Sequence, residues 1–575
     1  MPADAQKGHV VLSAARKALE DDIAVHEQAI IDLKGRLNNM TTVARLPPEL
    51  LSEIFLHLAE MSYNEVGSSY HPAYVSARFY AWVTVTHVCR SWRSVALSTP
   101  RLWGHIVLTR SSIVEDVLAR SKKAPLRITG YLMSSHDEKA KMLKSIMQES
   151  SRIKELRLSG PASSFRDLFP KMMEPATILE TVVLSDCSHG APFINANDIN
   201  QPMFRPELLP RMRELEIRRL IFRWDSYTLS PQITRLTLSG RLDSQSLLGT
   251  FGSLLSTLDQ MPNLEHLELE DAIPRLPDTT KTLPAPERTL SFPRMRRLIL
   301  VGTSLDCGNL LNHINVHSGM RPKVVCRGNN GSQELIRVFA AHVVRMDPLV
   351  TVQLSRGAYG GKLHVRGWQT LVEPTNPNPT VELQVDALAC SALASYLVRD
   401  SKMFTKARVL RADAEDHDWR WKDVFAGMPD LRELSITGDP QDQFITAVSA
   451  PHKSKKHRPP TLVLPHLRVL KLTNTRLCSP DYDQPPEFLD RLEDWLIMRC
   501  NYNMPIDELH LTCCVNLTEE DVERLIEIVP YVKWDGIVEF ESEEDDEEDE
   551  DDPYDYDDYD YDYYDDFYDD PWGIF

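Results

Sequence analysis

The sequence is short of several things a reader would look for first. No run approaches the roughly 18 apolar residues that span a bilayer; the strongest, "ALACSALASYLV" from Ala387 to Val398, is too short. The amino terminus, "MPADAQKGHVVLSAARKALEDD", lacks the continuous apolar core of a secretory signal and carries acids early. Nine cysteines are scattered without a single CxxC pair, and only Cys513 and Cys514 are adjacent. That usage predicts reduced thiols and a chain of the cytosol or nucleus, and the lack of a long apolar run predicts no membrane partner. An excess of basic charge is also missing, so no direct nucleic-acid partner is expected.

Charge of the other sign is abundant but confined. The chain has 84 acidic and 64 basic residues, and 20 of the acids lie in 541–575, "ESEEDDEEDEDDPYDYDDYDYDYYDDFYDDPWGIF", which has no Lys or Arg. Residues 1–540 are therefore formally neutral, and the tail carries the whole net charge of −20. A block of like charge repels itself and buries no core, so 541–575 reads as a disordered acidic tail. Its plainest role is solvation. The interleaved tyrosines add a second reading, an arm for a basic protein held by Coulombic and cation–π contacts.

Sites of chemistry are likewise scarce. "GAYGGK" at 357–362 has glycines but no strand–turn–helix setting for a phosphate loop. His417 stands among carboxylates in "DAEDHDWRW" without a second or third ligand at zinc-like spacing. "KSKKHR" at 453–458 reads as a solvated loop, with nuclear import as the alternative. Cys513 and Cys514 follow a strand and read as one half-exposed and one buried thiol. No nucleophile turn is recognisable. The expectation is a non-enzyme with no catalytic residue, no cofactor and no metal.

What the sequence does have is order at two periods. Leu19, Ile23, His26, Ile30, Leu33, Leu37 and Met40 alternate four and three residues apart, the a/d seam of a short coiled coil over 11–41. His26 on that seam and Gly35 inside it leave two alternatives open, a dimerising helix and a helix docked on the body. Further on, a six-residue unit with apolar positions one, four and six recurs: "IKELRL" at 153, "LETVVL" at 179, "MRELEI" at 212, "ITRLTL" at 233, "LEHLEL" at 264, "MRRLIL" at 295, "LRELSI" at 431, "LRVLKL" at 467 and "IDELHL" at 506. Weaker forms are "LVTVQL" at 349 and "TVELQV" at 380. These resemble degenerate leucine-rich repeats, which implies a solenoid over 110–540 with a parallel sheet and an outer layer of helices such as "LLGTFGSLLSTLDQM". The Asn or Cys expected after each strand is mostly missing, and Pro-rich insertions such as "RLPDTTKTLPAPERTLSFP" and "PHKSKKHRPPTLVLP" interrupt the array.

Between these two regions lies "LPPELLSEIFLHL", 46–58. Two prolines suit a first helical turn, Glu49 suits the positive end of the helix dipole, and Leu50, Leu51, Ile54, Phe55 and Leu58 form a wide apolar face. After a polar loop "AEMSYNEVGSSYHP" comes "WVTVTHVCRSWRSVALSTPRLW", read as one helix with Val85, Val88, Cys89, Trp92 and Val95 in a stripe and Arg90 and Arg93 off it. Pro100 then starts a turn from which Trp103 folds back. Over 44–108 the combination resembles the F-box, in the long-loop form found in the expanded F-box families of mushroom-forming fungi.

The resemblance implies an α/β chain with an N-terminal helical F-box and an irregular leucine-rich-repeat solenoid, serving as substrate receptor of a Skp/cullin/F-box ubiquitin ligase. Its partners would be the Skp adaptor, the cullin scaffold behind it and a protein substrate. Carried over by position, Leu46, Pro47, Pro48, Glu49, Leu50, Ile54, Phe55, Val85, Cys89 and Trp92 would contact the Skp adaptor.

Overall fold

Alternating apolar and polar residues with β-branched or leucyl side chains favour a strand whose one face is buried. A computed structural model of the chain describes residues 3–66, 80–108, 111–132, 138–161, 165, 176–187, 206–220, 222–225, 229–240, 248–328, 330–356, 362–372, 378–386, 396–414, 419–449, 462–477 and 488–539. Every one of the nine strong six-residue units leads into or forms a strand there, and their apolar positions one, four and six are at most 2% exposed. Burying a leucine fully is worth about 1.5–3 kcal/mol, so the repeated unit is also the repeated source of stability. "GAYGG" at 357–361, His417, "KSKKHR" and the acidic tail lie outside the described residues.

The chain divides into two units, 1–214 and 215–575. In the first, helix α1 (Ala3–Asn39) is followed by α2 (Pro48–Val66), a 3-10 turn (Ala81–His87), α3 (Arg90–Ser98) and a 3-10 turn (Pro100–Trp103). Four strands follow: β1 (His105–Val107), β2 (Leu126–Tyr131), β3 (Ile153–Gly160) and β4 (Thr181–Asp186). They pair in parallel and in chain order, β1 with β2, β2 with β3 and β3 with β4. Helices Ser111–Ser121 and Glu138–Ile146 make the first two crossovers. Because β1 directly follows Trp103, the helical region runs into this sheet without a linker.

The second unit holds β5 (Glu214–Arg218) from its second residue, and then β6 (Arg235–Ser239), β7 (His266–Glu270), β8 (Leu290–Ser291), β9 (Arg297–Thr303), β10 (Ile314–Asn315), β11 (Arg321–Arg327), β12 (Thr351–Arg356), β13 (Lys362–Trp368), β14 (Val381–Asp386), β15 (Val409–Asp413), β16 (Glu433–Thr437), β17 (Val469–Thr473), β18 (Glu508–Thr512) and β19 (Tyr531–Trp534). From β6 the pairing runs β6, β7, β9, β11 in parallel. From β12 it runs β12, β15, β16, β17, β18, β19, again in parallel.

Between these runs the expected all-parallel order fails. β12 does not pair with β11; it turns back into β13, which pairs antiparallel with both β12 and β14, and β14 fills the place beside β11. The sheet is therefore mixed. Short connections allow this, since antiparallel neighbours need only a hairpin whereas parallel ones need a crossover. Gly367 in β13 has a packing reason: a Cβ there would stand 2.6 Å from Leu349 Cδ1.

The Pro-rich stretch after β7 is mostly exposed and irregular, but its Leu290–Ser291 pairs with Ile314–Asn315 in a separate two-stranded ladder. Phe251–Asp259, inside "LLGTFGSLLSTLDQM", is a helix opened by a Thr250/Ser253 capping box.

A recurring feature sits just past the strands. Arg219, Asp271, Gly328, Gly438, Asn474 and Cys513 each follow a strand and have φ between 47° and 83°. The left-handed residue turns the chain off the sheet; the N–H of Arg219, Asp271, Gly438 and Asn474 still reaches a carbonyl of the next strand, as Asp271 does to Val301 O and Asn474 to Thr512 O, while Gly328 N and Cys513 N donate to the Asp386 and Asp535 carboxylates. Cys513 is half-buried and Cys514 buried, as expected, although the cause is this left-handed turn and not an extended chain. Burial pushes the Cys514 thiol up to about 11.

Candidate functional site

The helical region 43–108 is built from an inner and an outer layer of apolar side chains. Pro47 accepts the first helical hydrogen bond, from Leu51 N at 3.1 Å, and Pro48 opens α2, where a missing N–H costs nothing. Leu51, Phe55 and Ala59, one turn apart, are buried. Leu50, Ile54, Leu58 and Met61 on the adjoining face are 38–61% exposed. The helix does not stop at Leu58: the first eight residues of "AEMSYNEVGSSYHP", taken as loop from their polarity, continue it to Val66.

Against the inner face the second element arrives in two pieces, not as the single stripe that the spacing suggests. The 3-10 turn Ala81–His87 buries Trp82, Val83, Val85 and Thr86. Cys89 is then fully extended (φ −159°, ψ 167°) and caps α3, its Sγ accepting from Trp92 N at 3.5 Å. The break turns Val88 outward, to 57% exposure, while Val95 and Ala96 face in.

Phe55 lies 5.1 Å from Trp92, and Trp82 meets Trp103 edge-on at 5.2 Å. Trp103 folds back as expected, with Pro100 at its turn's start and Nε1 donating to Ala96 O at 2.9 Å.

A polar joint fastens this core to the strands that follow. Arg127 on β2 bonds both carboxylate oxygens of Glu60 on α2, at 3.1 and 3.2 Å, and Glu155 on β3 at 3.0 Å. Beneath it Tyr63 packs on His105 with ring centroids 4.1 Å apart, and Val107 N donates to the Tyr80 hydroxyl oxygen at 3.1 Å. Burial pushes the Tyr80 phenol up to about 12 and raises Tyr63 as well. Burial, with the charges of Arg127 and Arg157, pushes His105 down to about 3, so it is neutral at physiological pH.

The ten residues singled out by sequence therefore separate. Pro47, Pro48, Glu49, Leu50 and Ile54 are exposed, Leu46, Cys89 and Trp92 are half-buried, and Phe55 and Val85 are inside. Leu58, Met61 and Val88 lie on the exposed side and were not among them. Their signal was present, since Leu58 and Met61 stand four and seven residues after Ile54.

Nothing in this arrangement brings a nucleophile to a base, and among the described residues no group of His, Cys, Asp and Glu has the makings of a metal site. An apolar row with charged flanks is equipped to dock another surface. No curated protein matches the chain. A family model does match residues 43–109, and the helices and turns that expose this apolar row are an F-box-like domain.

Proposed function

We propose that the protein is the substrate-recognition subunit of a Skp/cullin/F-box ubiquitin ligase. The observation that carries the reading is the row Leu50, Ile54, Leu58 and Met61, left outside a helix whose other face is fully packed. In this proposal the Skp adaptor covers that row together with Pro47, Pro48, Glu49 and Val88, with Leu46, Cys89 and Trp92 at its margin. Phe55 and Val85 hold the helix in place from behind and do not touch the adaptor. A few aliphatic anchors in a desolvated patch supply most of the affinity in such an interface.

The region 110–540, read as a leucine-rich-repeat type of scaffold, holds a protein substrate. The chain performs no chemistry itself; it contributes proximity and orientation to a conjugating enzyme recruited through the cullin scaffold. The site of action is the cytosol or the nucleus.

The test is co-purification of the full chain with a Skp adaptor of the same organism. A one-to-one complex is expected. Leu50→Asp with Ile54→Asp should abolish it without lowering the melting temperature, because an unpaired carboxylate in an apolar interface costs several kcal/mol while both positions are exposed in the free chain. Ser52→Asp should bind normally. Failure of the unaltered chain to bind any Skp adaptor of its organism removes the proposal.

A second reading rests on the confinement of the whole net charge to 541–575: a non-degradative scaffold for basic proteins. Binding of histone-like or ribosomal proteins that persists without 43–109, is lost without 541–575 and weakens steeply with salt would favour it.

A further inference from the structure

The seven seam positions of α1 are all exposed, and its six apolar members, Leu19, Ile23, Ile30, Leu33, Leu37 and Met40, are 51–78% so. The helix touches the rest of the first unit off the seam, where Asp32 stands 3.8 Å from Arg90. A helix this long gains most of its stability from packing an apolar face, and here no described residue of the chain covers that face. We propose that it is covered by α1 of a second copy of the chain, and that the two helices run antiparallel.

The charges beside the seam decide both the occupant and the direction. With Ile23, Ile30 and Leu37 at a and Leu19, His26, Leu33 and Met40 at d, the e positions are Glu20, Glu27 and Lys34 and the g positions are Asp22, Ala29 and Arg36. In a parallel pair g faces the following e of the partner copy. Asp22 then faces Glu27 twice, Ala29 faces Lys34, and two His26 rings meet in one layer. No attractive charge pair forms.

In an antiparallel pair e faces e and g faces g. Aligning Leu19 with Leu37 places Ile23 against Leu33 and His26 against Ile30, so the six layers between Leu19 and Leu37 are filled, while Met40 falls beside Arg16 at the edge. The same alignment sets Glu20 against Lys34 twice and Asp22 against Arg36 twice, at the cost of a single Glu27–Glu27 contact. The helix is thus complementary to its own reverse, and this register forms more attractive charge contacts than those one heptad to either side. The two F-box-like domains would leave the pair at opposite ends, about 36 Å apart at 1.5 Å per residue. This association does not depend on whether that domain binds a Skp adaptor.

Size-exclusion chromatography with light scattering on the full chain at micromolar concentration should give twice the 65.7 kDa chain mass. Ile23→Lys with Ile30→Lys should give the monomer with an unchanged thermal transition for the remainder. For direction, Lys34→Glu replaces both attractive contacts of Glu20 by carboxylate–carboxylate repulsion and should weaken association roughly tenfold, and adding Glu20→Lys should restore it. In a parallel pair these two positions face Ala29 and Ala15, and neither change would matter. A monomeric unaltered chain, or a dimer indifferent to the Ile substitutions, overturns the proposal. A dimer broken by those substitutions but indifferent to the charge exchange overturns the antiparallel direction.

Discussion

The F-box-like helices and the strand array of 215–539 use the same apolar residues to opposite effect. In the array each six-residue unit hides its three apolar positions against neighbouring units, and its polar positions face out in mixed charge. In α2 the apolar set is twice as wide as its core needs: one half packs on Trp92 and the 3-10 turn, and the other half stays in water. A strand whose apolar face is covered by its neighbours needs no partner to be stable, whereas a helix with a surplus face carries a cost that a second surface would remove. Under the proposed function, burial separates residues that build from residues that would bind, and each class should fail in its own assay.

The largest effects should come from the buried class. Phe55→Ala removes the ring against Trp92 and should lower stability by about 3–5 kcal/mol, and Leu470→Ala in β17 should cost about 2–5 kcal/mol, both read by chemical denaturation. The regions should respond separately. Phe55→Ala should depress adaptor binding only through unfolding and recover it on cooling, and Leu470→Ala should leave binding alone. A Phe55→Ala chain that melts normally yet cannot bind would place Phe55 in the interface itself and undo the division between inner and outer faces.

Acid should separate the regions next. His105, at the joint of the helical region, has its pKa pushed from 6.5 to about 3, so the unfolded chain binds this proton first. The stability it gives is complete above about pH 6.5 and is lost as pH falls towards 3, by at most ~1.4 kcal/mol per pH unit. In the array, Glu382 is held down to about 2 by the hydrogen bond from His364 at 2.8 Å and by Lys323 at 3.2 Å. Its contribution is complete above about 4.5 and is lost only as pH falls from there to about 2. Hydrogen exchange at pH 5 should therefore find 43–108 loosened before the strands around β14, and His105→Gln should flatten the acid limb of the helical region alone. Equal protection in both regions at pH 5 would contradict this order.

Much of the division was legible in the sequence because it follows local periods. The units from "IKELRL" to "IDELHL" gave strands at the expected places, since alternation over five residues leaves a strand one way to face a core. Pro47, Pro48 and the Pro100–Trp103 turn were readable because proline restricts the backbone whatever surrounds it. Three features were not. The β12–β13–β14 reversal depends on which strand finds an empty neighbour, a long-range choice that "KLHVRGW" does not announce. The break at Cys89 was hidden because Val85, Cys89, Trp92 and Val95 satisfy helical spacing across it. Which half of α2 faces inward was hidden as well, because Leu50–Leu51 and Ile54–Phe55 are apolar pairs, and neither spacing nor polarity ranks one above its neighbour. The left-handed residue after six of the strands could have been sought as Gly328, Gly438, Asn474 and Asp271, but Arg219 and Cys513 in the same role obscure it.

The smallest expected effect sharpens the comparison at the joint between helix and strand. Glu60 and Arg127 form a two-oxygen ion pair, but their side chains are 52% and 35% exposed, so water already screens much of the attraction. Arg127 also keeps Glu155 at 3.0 Å when Glu60 is neutralised. Glu60→Gln should therefore cost about 0–1 kcal/mol, with the effect fading in high salt. Because Glu60 follows the buried Ala59 and lies off the row Leu50, Ile54, Leu58 and Met61, adaptor binding should be unchanged. Calorimetric unfolding at low and at high salt, together with the adaptor titration, measures both. A loss of several kcal/mol would mean that the helical region stands on this joint and not on its own Phe55, Trp82 and Trp103 core; a loss of binding would extend the docking surface round the helix to Glu60.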